Sequence, residues 1–556
     1  MSDIAAPPRR SASLAPPTRL GALAFAAKSA LFRLERLAKD TVSGPARLAR
    51  GGDDGDAVAG YSRTPLWGDT RAAERAMQWG KVHNLRVAAR ALDGTIVPQG
   101  CVFSFWREMG APTRARGFVD GRMLREGCLV PSAGGGLCQL SNALYDVALQ
   151  AGCEIVERHA HSRIVPGSAA AQGRDATVAW NYVDLRFRAP RRLVLRVMVE
   201  RDALDVKLVG VDAFAAPDVT FVPAHEAAET CGTCAETSCF RHEGHRSAPT
   251  GRTAFLMDED WPEFRAYIAS TRKDDDPLFA AHDTTLAAML RGLSQRAAKT
   301  APQRRAAELA GSARIARRLA CHLTPDVTEI CVAQSLLPHL WRLGHLGGRQ
   351  FSVLMTRLPM AEIQSRLDAA SRAHPERKSL ADFRADPALV AAESAALAAA
   401  DTIVTPHTET ARLFGTRALL LDWHMPPAAP RAVAIIRDRI AFPGPTLARK
   451  GAYELRDAAR ALDLEVALCG NELEGADFWS GVHTLRSNNW LNGVTCVVQP
   501  AFLEDAPRRL LQALAAGVPV IATRACGLPE QPGVTFVPEG DVAALVAALK
   551  TGRHTE

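Results

Sequence analysis

Three stretches of the chain combine residue types that could do chemistry. SAGGGLCQLSNALYDVALQAG places a cysteine directly after three glycines, and ETCGTCAETSCFRHEGH clusters cysteines with histidines. FPGPTLARKG and QPAFLEDAPRRLLQAL place a lysine and a glutamate just after short apolar runs. The first pattern could supply a thiol nucleophile, the second a metal site and the third a site for an anionic ligand.

Cys138 lies at the start of a predicted helix, where the positive end of the helix dipole favours the thiolate. Downstream, VERHAHS offers His159 and His161, and GRDATVAWNYVDLRF offers Asp175 and Asp184. A cysteine, then a histidine, then a polar group is the order found in papain-like thiol hydrolases. The sequence therefore allows Cys138 as nucleophile with His161 as base. The alternative is a buried helix cysteine without catalytic function.

The same stretch resembles a known family. FSFWREMGAPTRARGF, GGGLCQLSNALYDVALQAG, ERHAHS and DLRFR follow one another as in the VanW family, which is named from vancomycin-resistance clusters. The resemblance covers about residues 85–190, and it places the family's Gly-Gly-Gly-Leu-Cys-Gln block on Gly134 to Gln139. It implies cell-wall or glycopeptide chemistry, but it brings no settled activity.

The cysteine cluster lies in a predicted compact linker, residues 213–250. A C-x2-C pair can reach one tetrahedral zinc ion from a tight turn, and Cys231, Cys234, Cys239 and His242 would complete the four ligands. Because all four positions would be filled by protein, the predicted role is structural. Three thiolates could alternatively hold an iron–sulfur cluster, and the remaining alternative is a redox-active or simply exposed group of thiols.

The lysine and the glutamate each follow a predicted strand. Gly444, Arg449 and Lys450 lie between a strand and a helix, where helix N–H groups and a lysine could bind a diphosphate. Glu504 comes just beyond another strand, and Gln512 lies on the helix that follows. At the carboxyl edge of a parallel sheet such a carboxylate could bind ligand hydroxyls. Any α/β domain can carry such residues without a ligand, which is the alternative.

Strand and helix patterns indicate the elements that would position these residues. From about residue 325, short apolar runs alternate with helical patterns, which predicts a Rossmann-type parallel α/β sheet. RRLVLRVMVERDALDVKLVGV alternates apolar and polar residues, which predicts antiparallel strands in an α+β domain. The predicted segments are a flexible tail with one helix at 1–60, the VanW-like domain at 61–212, the linker at 213–250, a helical spacer at 251–324, and two α/β halves at 325–430 and 431–556.

The two C-terminal blocks together resemble the nucleotide-sugar half of GT-B glycosyltransferases, specifically the large retaining family four. ESAALAAADTIVTPHTETARLFG is similar to the stretch before the interdomain crossover of those enzymes, so the resemblance covers about residues 325–550. It implies that Glu504 contacts the donor sugar and that Lys450 binds the diphosphate. It also implies an acceptor-side half at 325–430, abbreviated because no opening strand with a Gly-rich turn is recognisable near 290–330.

Two residues depart from the family pattern. Gln512 stands where the family has a second glutamate for the ribose, and its neutral amide could still bind a hydroxyl. Pro445 stands where the family has a phosphate-binding arginine, and Arg449 is the predicted substitute. The departures fit either an unusual transferase or a binder that has lost turnover.

Composition excludes several classes of protein. The 556 residues are 47% hydrophobic and 23% charged, as in globular proteins. A net charge of +7 without a basic tract interleaved with aromatics argues against nucleic-acid binding.

The sequence lacks the roughly 18 uncharged apolar residues of a membrane span. LGALAFAAKSALF, broken by Lys28, leaves a weak secretory signal or a surface helix with peripheral membrane contact open. The scattered cysteines favour a reducing compartment, so we expect a bacterial cytoplasmic protein.

The sequence thus predicts a glycosyltransferase-like protein that uses a nucleoside-diphosphate sugar and is fused to a VanW-like domain. Its expected role lies in cell-wall, glycan or glycoconjugate metabolism, and the resemblance implies retention of configuration without a required bound metal. One alternative is a non-catalytic scaffold that binds sugar nucleotides or glycans. Another is a thiol hydrolase that acts through Cys138.

Overall fold

The computed structural model describes most of the chain. Its described residues are 19–51, 57–68, 74–125, 128–160, 174–210, 249–280, 285–298, 300–428, 435–436, 438–475, 477–486 and 489–552. The chain divides after residue 251 into two compact units, and the first unit also includes residues 324–328 and 344–349. No helix within the described ranges is both long and apolar enough to cross a membrane.

The first unit combines helices with short antiparallel sheets. Its elements are α1 (Arg19–Ser43), β1 (Ala57–Pro65), α2 (Arg75–Leu92), β2 (Thr95–Val97), β3 (Val102–Ser104), α3 (Phe105–Met109), β4 (Asp120–Arg125), β5 (Cys128–Ala133), α4 (Cys138–Gln150), β6 (Glu154–Glu157), β7 (Arg186–Arg188), β8 (Leu193–Val199) and β9 (Ala203–Gly210). The sheets have the strand orders β1-β9-β8-β2, β3-β7-β6 and β4-β5. The predicted α+β class is confirmed.

The core of the first unit lies where α2 and α4 pack on the antiparallel strands. Leu85 and Leu144 from the helices and Leu195 and Leu208 from the strands are all fully buried in one cluster. The pairing of β8 with β9 is antiparallel, with Leu195 opposite Leu208. The alternating pattern of the sequence therefore buries one face of the sheet under the helices.

The second unit alternates strands and helices. Its elements are β10 (Arg252–Met257), α5 (Pro262–Thr271), β11 (Leu278–Ala280), α6 (Thr285–Ala297), α7 (Ala301–Ala320), β12 (Val327–Ala333), α8 (Leu337–Arg342), β13 (Gln350–Leu354), α9 (Met360–Ala373), α10 (Pro387–Ala399), β14 (Thr402–Thr405), α11 (Thr408–Phe414), β15 (Ala418–Leu420), β16 (Arg439–Phe442), α12 (Ala452–Leu462), β17 (Glu465–Leu468), β18 (His483–Arg486), β19 (Val497–Gln499), α13 (Arg508–Ala515), β20 (Val520–Ala522), β21 (Val534–Phe536) and α14 (Val542–Gly552).

These strands form two sheets of six strands, with the orders β11-β10-β12-β13-β14-β15 and β18-β17-β16-β19-β20-β21. Every pair of the second sheet is parallel, as are four pairs of the first. The predicted parallel α/β class is confirmed. We call the parts of this unit around the first and second sheets the leading half and the trailing half.

The prediction of a purely helical spacer at 251–324 is wrong for its first part. β10 and β11 lie in this stretch and belong to the sheet of the leading half. The apolar run of β10 is short and is followed by the acids of DEDW instead of a Gly-rich turn, so the sequence pattern hid it. The leading half therefore has an opening strand, which the sequence analysis did not find.

Candidate functional site: the loops after β16 and β19

The strand order of the trailing half creates a crevice at one point of its sheet. β16 pairs in parallel with both β17 and β19. From β16 the chain continues to β17 on one side of the sheet, and from β19 it continues to β20 on the other side. In open α/β sheets, ligands bind at such a switch point, outside the carboxyl ends of the strands. Residues 443–451 follow β16 and residues 500–507 follow β19. These two loops therefore define the candidate site.

A glycine lets the two loops come together. Gly451, which precedes α12, has a φ of 82°, and a Cβ placed there would lie 2.3 Å from the carbonyl oxygen of Pro500. Only glycine fits both the left-handed conformation and the close approach. The carbonyl oxygen of Arg449 accepts hydrogen bonds from the backbone N–H groups of Phe502 at 3.0 Å and Leu503 at 3.3 Å. The loop backbones are thus joined directly.

Lys450 and Glu504 form an ion pair across these loops. The Nζ of Lys450 lies 3.0 Å from the Oε2 of Glu504, and their side chains are 13% and 12% exposed. The amide of Gln499 donates a hydrogen bond to the same carboxylate oxygen. The backbone N–H groups of Asp505 and Ala506 donate to Oε1 at 3.1 and 3.2 Å. The two residues singled out from the sequence therefore lie together, and Glu504 is held in one orientation.

The guanidinium group of Arg449 lies beside this pair without an ion pair to any residue within the described ranges. Its central carbon lies 5.3 Å from the ring centroid of Phe383, and its Nη1 is buried without a hydrogen-bond partner. Burial lowers the pKa of Arg449, although the carboxylate of Asp505 acts in the opposite direction. A buried, unpartnered N–H is a donor available to an anionic ligand.

The remaining two predicted residues, Gly444 and Gln512, are placed less tightly. Gly444 is buried, and a Cβ there would contact Phe442 at 3.4 Å and Lys450 at 3.5 Å, which leaves the glycine without a steric necessity. Gln512 is the fifth residue of α13 and is half-buried. Both therefore lie on elements that border the crevice, and their contact with a ligand stays a prediction.

The sequence analysis missed a set of charged residues that adjoins Glu504. The Oδ2 of Asp505 lies 3.7 Å from the Nη1 of Arg357, which follows β13 of the leading half. Burial acts to raise the pKa of Asp505, but Arg357 and Lys450 outweigh it and the pKa is lowered. The signal in the sequence was an arginine just after an apolar run, VLMTR, because such a position falls at the carboxyl end of a predicted strand.

Cys138 begins α4 as the sequence predicts. The preceding Gly135 is fixed because its carbonyl oxygen accepts a hydrogen bond from the side-chain amide of Asn84 at 3.0 Å. The Sγ of Cys138 is half-buried and lies 3.7 Å from the hydroxyl oxygen of Thr177. Its predicted base, His161, lies outside the described residues.

Asp184, the more distal of the two candidate orienting groups, has another function. Its carboxylate accepts hydrogen bonds from the hydroxyl of Ser104 at 2.6 Å and the backbone N–H of Trp106 at 3.1 Å, at the start of α3. It also pairs with Arg186 at 2.8 Å. The acceptor oxygens of Asp184 thus cap a helix and bind an arginine, and a contact with His161, which lies outside the described residues, stays a prediction.

Lys81 lies next to the glycine turn before Cys138 and was not found from the sequence. A Cβ on Gly136 would overlap the side chain of Lys81, with a distance of 2.2 Å to its Cγ. Burial, with a smaller contribution from the charge of Arg122, lowers the pKa of Lys81 to about 7. The sequence around Lys81 gives no signal of its contact with Gly136, which lies on a distant segment, so only the fold reveals it.

No group of three or more metal-ligating side chains occurs within the part of the chain that the structure describes. The predicted zinc ligands Cys231, Cys234, Cys239 and His242 lie outside that part. A zinc or iron–sulfur site there stays a prediction.

Comparison with known families identifies two domains. The family described as "VanW like protein" matches residues 80–209, and the family described as "Glycosyl transferases group 1" matches residues 441–551. The predicted fusion of a VanW-like domain with a glycosyltransferase-like domain is therefore confirmed. The second match contains both loops of the candidate site.

Two curated proteins are similar to the first of these domains. The uncharacterized protein YoaR of Bacillus subtilis (strain 168) is 39% identical over 106 residues, which is 19% of this chain and 34% of that protein. The vancomycin B-type resistance protein VanW of Enterococcus faecalis (strain ATCC 700802 / V583) is 32% identical over 150 residues, 26% of this chain and 53% of that protein. The chain thus spans about half, or less, of the relatives' lengths.

Solved structures with distant similarity include two enzymes. The apo form of the lipopolysaccharide outer core galactosyltransferase WaaB is 12% identical, covering 54% of this chain and 90% of that chain with a TM-score of 0.33. Sucrose-phosphate synthase from Thermosynechococcus elongatus is 14% identical, covering 54% of this chain and 89% of that chain with a TM-score of 0.33.

Proposed function

We propose that the second unit transfers a sugar from a nucleoside-diphosphate donor that binds at the loops after β16 and β19. The observation that carries the proposal is the buried Lys450–Glu504 pair at the switch point of a parallel sheet. The pair lies within residues 441–551, which match the glycosyl transferases group 1. A cation and a fixed carboxylate at this place can bind the two chemically different parts of a sugar nucleotide.

In this proposal Lys450 binds the diphosphate. When the bond between the sugar and the diphosphate breaks, negative charge develops on the leaving phosphate, and a preorganised cation stabilises that charge. The side chain of Lys450 is mostly buried, so its charge acts where water screens it little. Arg449, with its unpartnered Nη1, would supply the second cation that the altered motif lacks at Pro445.

Glu504 would orient the donor sugar. Its Oε1 is fixed by the backbone N–H groups of Asp505 and Ala506, so its Oε2, now paired with Lys450, can accept sugar hydroxyls when the diphosphate takes the lysine. Gln512 would hydrogen-bond a ribose hydroxyl through its amide. Retention of configuration and transfer without bound magnesium belong to this proposal and come from the resemblance to family four.

The fusion suggests the pathway in which such a transfer would take place. The match to the VanW-like family supports a role in bacterial cell-wall or glycoconjugate metabolism. Use of the donor in the cytoplasm is part of the proposal and follows from the scattered cysteines of the sequence. The acceptor is a separate question, which the residues of the leading half address below.

A thermal-shift panel tests the proposal. UDP-, GDP-, ADP- and TDP-sugars are added to the full-length protein and to Lys450→Ala. A donor at a hundred times its dissociation constant adds about 2.7 kcal/mol of stability, which is measurable if the unit melts separately. We expect one nucleotide to stabilise the wild type and not the variant. If none stabilises it, the proposal fails, whereas binding without turnover would favour the non-catalytic scaffold.

A further inference from the structure

Two arginines of the leading half lie against the candidate donor site. Arg305 belongs to α7 and is 4% exposed; its Nη1 donates to Glu308 at 2.8 Å. Arg357 follows β13 and is 11% exposed; its Nη1 lies 3.6 Å from Glu308 and 3.7 Å from Asp505. Since Asp505 directly follows Glu504, a continuous chain of charged groups runs from the donor site to α7.

Each of these arginines has a buried donor that is not used. The Nε atoms of Arg305 and Arg357 are buried and have no hydrogen-bond partner. A buried donor without a partner destabilises the folded protein, and most such donors are paired in folded proteins. Two such donors on neighbouring guanidinium groups indicate a ligand whose oxygens would complete them. Guanidinium groups match phosphate and carboxylate oxygens in geometry as well as in charge.

The same place has an unused acceptor. The Oδ1 of Asp505 is buried without a hydrogen-bond partner, while its Oδ2 faces Arg357. A carboxylate oxygen accepts a hydrogen bond from a hydroxyl but repels an anion. The ligand that fits this place therefore combines a hydroxyl group with an anionic group, with the hydroxyl toward the donor site and the anion toward the arginines.

A groove offers space beside these residues. It has a volume of about 990 Å³, runs along α7 past Pro302, Ala306 and Leu309, and reaches Asp382. Two guanidinium groups lie over the ring of the neighbouring Phe383. The central carbon of Arg305 is 4.1 Å from the ring centroid, and that of Arg449 is 5.3 Å away. The groove is therefore lined by Ala306 and Asp382, the sequence neighbours of Arg305 and Phe383, whereas Arg305, Arg357 and Asp505 are not among its lining residues.

We propose that Arg305 and Arg357 form a subsite for a hydroxylated acceptor that carries a phosphate or a carboxylate group. The assignment rests on the proposed transferase function and deepens it. The cations of the trailing half, Lys450 and Arg449, bind the donor diphosphate, whereas those of the leading half bind the anionic group of the acceptor. The Oδ1 of Asp505 accepts a hydrogen bond from an acceptor hydroxyl near the sugar held by Glu504.

Titration of inorganic phosphate into the UDP-saturated full-length protein tests the subsite, because UDP then occupies the donor cations. We expect phosphate to bind the wild type, with affinity reduced about tenfold or more in Arg305→Gln and in Arg357→Gln. Arg304→Gln is the matched control, since Arg304 is the exposed neighbour on the same helix. A parallel titration with acetate distinguishes a phosphate from a carboxylate preference. Unchanged phosphate and acetate affinity in both variants overturns the subsite.

Two further measurements separate misfolding and failure of the parent proposal from failure of the subsite. Arg357→Lys keeps the charge and loses the planar fork, so we expect normal melting with weakened phosphate binding. If UDP does not bind at all, the proposed function fails, and phosphate is then titrated without nucleotide. Phosphate binding that persists in Lys450→Ala and is lost in Arg357→Gln supports the anion subsite at the arginines. Phosphate binding that is lost in Lys450→Ala but not in Arg357→Gln overturns it.

Discussion

Two loops of this protein look alike in sequence and differ in what the fold brings to them. The loop before α12 and the loop before α4 both contain glycines with positive φ and both lead into a helix beside a reactive residue, Lys450 or Cys138. The Nζ of Lys450 lies 3.0 Å from the carboxylate of Glu504, a mostly buried residue that follows another strand. Cys138 meets the hydroxyl of Thr177 at 3.7 Å.

The difference teaches that a helix start gives a residue a favourable position but not a function. Around Lys450, parallel strands bring Glu504, Asp505 and Arg449 from separate loops to one sheet edge. Around Cys138, the one orienting candidate whose carboxylate contacts are known, Asp184, is occupied by a helix cap and an arginine.

The largest effect is expected for Lys450→Ala. The variant removes the cation proposed to bind the diphosphate and leaves the mostly buried Glu504 without its ion pair. We expect nucleotide-sugar affinity to fall about 100-fold, because that is the loss in binding free energy typical of one hydrogen bond to a charged group. Calorimetric titration measures it, with the exposed Lys550→Ala as control. Equal affinity in both variants would place the donor elsewhere.

Glu504→Gln should separate binding from turnover. The amide keeps the shape and the acceptor oxygen for the N–H groups of Asp505 and Ala506, but it loses the charge. We expect transfer to slow about 10- to 100-fold, with nucleotide affinity changed by no more than about threefold. Glu530→Gln, on an exposed residue, is the control. Full turnover in Glu504→Gln would remove this residue from the mechanism.

Gly451→Ala tests whether loop contact builds the site. An alanine there meets both the left-handed backbone, at φ 82°, and the carbonyl oxygen of Pro500 at 2.3 Å. We expect a loss of about 2 kcal/mol or more in unfolding free energy, together with weaker nucleotide binding. Gly517→Ala shares the positive φ, at 70°, but has open space, so it should cost about 1 kcal/mol and leave binding intact. Equal costs would show that the loop approach is unimportant.

Lys81→Met tests the buried lysine beside the other loop. Its pKa is lowered to about 7 in the folded protein, whereas a lysine in the unfolded chain has its ordinary pKa of about 10.4. Between these values the unfolded chain binds the additional proton, so the free energy of unfolding should rise with pH, by at most about 1.4 kcal/mol per pH unit. The variant should lose this slope. Urea unfolding at several pH values measures it, and an identical slope in the variant would contradict the burial of Lys81.

The smallest effect is expected for Cys138→Ala. Because Cys138 does not belong to the loops of the candidate site, residues 443–451 and 500–507, nucleotide affinity should stay within about twofold of the wild-type value. The thiol is half-buried, whereas Cys101 is exposed, so alkylation of Cys138 should be the slower of the two. Faster alkylation of Cys138 would revive the thiol-hydrolase hypothesis and weaken the contrast between the loops.

Sequence patterns correctly predicted the strands and helix starts that depend on residues near one another in the chain. The parallel strands before Lys450 and Glu504 are short apolar runs followed by a helix, so the sequence placed both residues at one sheet edge. The helix start at Cys138 followed in the same way from its glycines and its apolar periodicity.

Contacts between distant segments could not be predicted. Arg357 lies near both Glu308 and Asp505 only because the fold brings three distant segments of the chain together, and no spacing in the sequence indicates that. The strand β10 was missed because six residues flanked by charge carry too little periodic signal. The contacts of Asp184 at the start of α3 could not be predicted either, because Ser104 and Trp106 are far from it in sequence.

Hydrogen exchange with and without the stabilising nucleotide sugar would locate the donor on the chain. The full-length protein is exchanged in both states, and the protected peptides are located along the chain. The account predicts protection concentrated in residues 443–451 and 500–507, the two loops joined through the backbone of Arg449. Protection confined to the first unit, or none in these loops, would contradict it.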